Sequence, residues 1–114
     1  MPARSPLHLY HFMCAEYPWV RQTGFRFPEH SAEPIGEEVS FAAFVIAKAY
    51  LESTPPPDNT STLDVAIAAG RSYPSVQLGD GAVILAAYAL GYVIYPNLDG
   101  SGVLAFPKDA NANH

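Results

Sequence analysis

The chain has 114 residues, with six Lys/Arg against eleven Asp/Glu, a formal net charge of −5, 49% apolar residues and 15% charged residues. It is long enough to bury one core and too apolar to stay disordered, and its acidic balance speaks against a surface that neutralises phosphates or anionic lipid. A single cysteine, Cys14, excludes an intramolecular disulfide, so the staples of small secreted domains are missing and a reducing, cytoplasmic setting is expected.

So few charges leave tyrosine, proline, serine and threonine to cover much of the surface. Seven tyrosines therefore predict an aromatic patch that faces a partner or a second copy. No signal-peptide pattern opens the chain, and the apolar stretch from Gly81 to Tyr95 is shorter than the ~20 residues that span a bilayer.

In chain order, Leu7 to Cys14 reads as a strand, with Leu7, Leu9 and Met13 on one face and Tyr10, Phe12 and Cys14 on the other. The competing reading is a helix capped by Ser5 with Pro6 at its first position. Pro18 ends that element, and Phe25 and Phe27 flank Arg26 as on an edge strand. Glu29 to Gly36 lacks periodicity and reads as a loop. Glu37 and Glu38 then place negative charge at the positive start of a helix over 37–53, with Val39, Phe41, Ala42, Phe44, Val45, Ile46, Ala49, Tyr50 and Leu51 inward and Ser40, Ala43, Lys48 and Glu52 outward.

Pro55, Pro56 and Pro57 make 54–61 a stiff exposed linker. A helix over 62–70 follows, with Thr62 as its cap, Val65, Ala66, Ile67 and Ala69 inward, and Gly70 at its end. Ser75 to Leu78 alternates like a short strand. Asp80 is placed to cap a buried helix over 81–90, which holds the longest apolar run, Ala82 to Leu90, and Gly91 stops it. A hairpin over 92–106 closes the domain, its turn supplied by Asp99-Gly100. The expected fold is α+β: three helices on a small, mainly antiparallel sheet joined by the N-terminal segment. One domain spans 1–107, and 108–114 is a mobile tail.

The chemistry-bearing residues are sparse. His8, His11 and Cys14 recur every third residue, but on a strand that spacing alternates faces and a fourth ligand is missing, so no metal is expected. Cys14 reads as a small buried hydrophobe rather than a nucleophile. The glycines at 79, 81, 91, 100 and 102 lack the lysine or strand-to-helix context of a phosphate loop and read as turn glycines; no cofactor is expected.

The order helix 62–70, helix 81–90, hairpin 92–106 resembles a winged helix-turn-helix, which would imply DNA binding. No Lys or Arg lies between Ser72 and Pro107, whereas a recognition helix and wing need cations, so nucleic acid is disfavoured as a partner. Leu9-Tyr10-His11, with Gly24-Phe25 behind it, looks like the opening of some ADP-ribosyltransferases over fewer than twenty residues. That resemblance implies a first-strand histidine, here His11, beside a nicotinamide cofactor. Those enzymes also carry an acid on a late strand, and this chain has no glutamate after Glu52.

The favoured reading is a non-enzymatic protein-binding module, an inhibitor or regulator of a basic partner. Tyr17, Trp19, Glu29, Glu33, Glu37 and Glu38 form the candidate binding face, and a homodimer is the second partner expectation.

Overall fold

The computed structural model describes residues 5–25, 37–57, 59–74, 76, 78–97 and 101–105. The chain runs through α1 (Pro6–Glu16), β1 (Val20–Arg21), β2 (Gly24–Phe25), α2 (Phe41–Ser53), β3 (Thr60–Ser61), α3 (Thr62–Ser72), α4 (Asp80–Ala89), β4 (Val93–Pro96) and β5 (Gly102–Ala105). The class is α+β, as expected. Among the described residues there are four helices, because the N-terminal segment is a helix and does not join a sheet. Its start explains why: the Ser5 hydroxyl accepts from the His8 N–H at 3.1 Å, and Pro6, already lacking a donor, occupies the first turn. Alternation of apolar residues from Leu7 to Cys14 does not survive that capping signal.

Two other helix starts differ from expectation for the same reason. α2 begins at Phe41 and not at Glu37, since the Ser40 hydroxyl accepts from the Ala43 N–H at 3.1 Å. A side-chain oxygen that satisfies an orphan N–H outweighs the weaker charge–dipole attraction of Glu37 and Glu38. Ala43, expected outward, is buried, whereas Phe41, Ala42 and Ala49, expected inward, are exposed, because the helix turns its Ala43–Phe44–Ala47–Leu51 stripe to the core. In α3 the cap is Ser61, whose hydroxyl accepts from the Leu63 N–H, and the helix passes through Gly70 to Ser72.

The core is organised around α4. Gly81 through Ala87 are all buried, as befits a helix apolar on every side, and it touches α1, α2, α3, both strands of the first ladder, and both strands of the hairpin. Asp80 is its first residue and Gly79 the N-cap, with no side-chain cap bond. Gly91, at φ 91°, turns the chain out of it. Phe44, Leu51, Ile84, Leu85 and Leu104 are the largest fully buried side chains around it.

β1 and β2 form a two-stranded antiparallel ladder, and β3, β5 and β4, in that order, form an antiparallel sheet. The register pairs Ile94 with Leu104 and Tyr95 with Val103. Ile94 and Leu104 point into the core, whereas Tyr95 is 54% exposed, the period-two alternation of a sheet with one face covered. Val76 and Leu78 lie outside any strand, and Ser75, Gln77, the Asp99-Gly100 turn and the 108–114 tail are outside the described residues.

The succession runs α2, β3, α3, α4, β4, β5, with β5 central in its sheet. α4 is the second helix of the pair that precedes the hairpin. Here α1 and the β1–β2 ladder pack against it, which is why it has no outward face between Gly81 and Ala87.

Candidate functional site

The β1–β2 turn sits on the N-terminus of α4, and Gln22 holds it there. The Gln22 N–H donates to the Glu37 carbonyl at 2.7 Å, and its own carbonyl accepts from the Gly81 N–H at 3.3 Å. Its side-chain oxygen accepts from the Ser40 N–H at 3.4 Å. The approach depends on Gly79 and Gly81, because a Cβ on either would overlap the carbonyl oxygen of Gln22 or Arg21 respectively. These glycines permit chain contact at a helix start that has no side-chain cap of its own.

A second node lies next to it. Thr62, fully buried, accepts from the Gly102 N–H at 2.9 Å and donates its hydroxyl proton to Asp80 Oδ1 at 3.2 Å. One side chain thereby links α3, α4 and β5.

Between these nodes and α3 opens a groove of about 290 Å³. Leu63, Ala66, Ile67 and Leu78 supply its apolar wall, and Gln22 and Asp80 its polar edge. Leu63 and Ile67, one helical turn apart, are 49% and 48% exposed. Ile67 was expected inward. The buried stripe of α3 is Thr62, Val65, Ala66 and Ala69, and Ile67 lies about 100° beyond Ala66 around the helix. That stripe was visible in the sequence, and its completeness is the signal that Leu63 and Ile67 are left over. Comparison of the chain with protein-family models, curated proteins and solved structures yields no match.

The residues singled out from the sequence are placed unevenly. Glu37 and Glu38 are exposed and extended, tied to the first ladder through Gln22 and through an antiparallel bridge of Glu38 to Arg21. Trp19 is half-buried just before β1. Tyr17 is used for packing: its ring stacks on Tyr88 at 4.3 Å and 3°, and Tyr88 meets Phe25 edge-on. Glu29 and Glu33 lie outside the described residues.

His11 is on a helix, so the first-strand histidine implied by the ADP-ribosyltransferase resemblance is not formed. His8 and His11 are exposed and Cys14 is half-buried. Three helical residues turn about 300°, so each step drifts about 60° and the trio does not converge. Among the described residues no group of three His, Cys, Asp or Glu is placed to hold a metal. Burial pushes the Cys14 thiol up, which disfavours the nucleophilic thiolate and fits a packing role. Among the described residues no helix is long and apolar enough to cross a membrane.

Tyr10 ties α1 to the segment before α2, donating its hydroxyl to the Val39 carbonyl at 2.6 Å. Burial, then the neighbouring Cys14, pushes its pKa from 10.0 to about 12. The fold thus favours the neutral phenol, so this contribution is complete below pH 10 and is lost as pH rises from 10.0 to about 12. Tyr88, Tyr92 and Cys14 are raised in the same direction, each chiefly by burial. Tyr10→Phe is expected to cost about 0.5–1.5 kcal/mol at neutral pH, through the lost hydrogen bond, and to flatten the alkaline decline. Urea midpoints measured across that pH range check both effects; equal slopes for the two proteins would refute the Tyr10 assignment.

Proposed function

We propose that the chain is a non-enzymatic protein-binding module, a regulator or inhibitor of a larger basic protein, built on winged-helix connectivity but not used on DNA. The observation that carries this reading is the exposed apolar groove at Leu63 and Ile67, beside a helix pair whose second member, α4, is covered. Apolar side chains held half out of a folded surface, next to polar edges, mark protein contact sites. The absence of Lys and Arg between Ser72 and Pro107 leaves α4 and the hairpin without the cations that phosphate contacts require.

Leu63→Asp with Ile67→Asp tests the reading, since both positions are half exposed and a charge there stays in contact with water. A partner captured quantitatively by the native protein is expected to be lost by the double variant with the melting temperature unchanged. Capture by both proteins alike would remove the groove from the reading. A labelled DNA duplex shifted by the native protein, with steep salt dependence, would favour the DNA-binding alternative instead.

A further inference from the structure

We infer that the groove takes a basic protein segment that inserts one large apolar side chain between Leu63, Ile67 and Leu78 and lays a lysine or arginine against Asp80. This rests on the protein-binding reading above and adds the chemistry of the partner. Size supports the first half: about 290 Å³ lies at the foot of the ~300–1,000 Å³ range of small-molecule sites and suits a single side-chain anchor.

Charge supports the second half. Asp80 is the one charged residue among those lining the groove, and its carboxylate is anchored by the Thr62 hydroxyl. Arg71, exposed one turn beyond Ile67, sets the direction. The partner's cation belongs at the Leu63–Asp80 end of α3, and the Arg71 end disfavours a second one.

The probes are a leucine–lysine amphipathic peptide and its leucine–glutamate counterpart, titrated by fluorescence anisotropy against the full chain. The lysine peptide is expected to bind at least about tenfold more tightly than the glutamate one, with affinity falling as salt rises. Leu63→Asp with Ile67→Asp, and separately Asp80→Asn, are each expected to weaken it about tenfold. Asp80→Asn keeps the Oδ1 acceptor for Thr62, and its melting temperature, measured alongside, is expected to match the native one. Glu52→Gln, which removes the same charge from the exposed end of α2, is expected to change nothing.

Equal weakening by Asp80→Asn and Glu52→Gln would reduce the effect to general acidity and overturn the inference. So would equal binding of both peptides. Binding of neither peptide overturns it too, while loss of a captured partner in the Leu63/Ile67 variant would still uphold the broader reading. Sedimentation showing a dimer that the same double variant dissolves would make a second copy the occupant, and would overturn it as well.

Discussion

Gly81→Ala is expected to destabilise the protein by about 3 kcal/mol or more, at or beyond the upper end of the usual overpacking cost. The added methyl would overlap the Arg21 carbonyl oxygen and press on Val39 Cγ2. None of these atoms can rotate away, because Arg21 is held in the β1–β2 ladder and Val39 is fully packed. The β1–β2 turn would have to lift from α4, breaking the Gly81 N–H bond to Gln22 and exposing the helix it covers. Against a total of roughly 5–15 kcal/mol for a domain, that is a large share. Gly70→Ala supplies the opposite sign: it lies inside α3 with no atom within 4 Å of the new Cβ, so removing glycine's backbone freedom should stabilise by about 0.5–1 kcal/mol. Urea unfolding of both variants measures the contrast; a Gly81→Ala midpoint equal to the native one would refute the close approach.

Thr62→Val is expected to cost about 1–3 kcal/mol although it keeps shape and volume. The hydroxyl is the acceptor for the Gly102 N–H and the donor to Asp80, in a place no solvent reaches. Valine leaves the Gly102 donor without that bond, and a buried donor stripped of its partner loses the full desolvation term. Thr62→Ser retains the hydroxyl and loses only a methyl. Amide exchange distinguishes the two: Gly102 should exchange faster in Thr62→Val and stay protected in Thr62→Ser. Unchanged exchange in the valine variant would show that Thr62 is not the link between the hairpin and the helix pair.

The candidate site was only partly legible beforehand. Composition points to the acids Glu37 and Glu38, which meet the β1–β2 turn through backbone contacts with Gln22 and Arg21 and do not line the groove. The sequence places Ile67 inward and does not mark Leu63, because a short helix of alternating small and branched residues fits more than one inward face. Tyr17 and Trp19 were grouped with the acids by proximity in sequence. Tyr17, half-buried, stacks on Tyr88, a contact between residues far apart in the chain.

By itself the sequence determined the α+β class, the buried helix after Gly79-Asp80-Gly81, the closing hairpin, and the lack of cations across both. Those features follow from local rules: an unbroken apolar run must be buried, a glycine at positive φ, as at Gly91, turns the chain out of a helix, and composition cannot be undone by folding. Tertiary structure alone decided what covers α4 and what remains outside. That depends on where α1 and the β1–β2 ladder come to rest, and on two glycines that let a distant carbonyl reach a helix end. Such contacts join residues many positions apart and leave no period in the sequence, so the surface left open for a partner became readable only once the chain was packed.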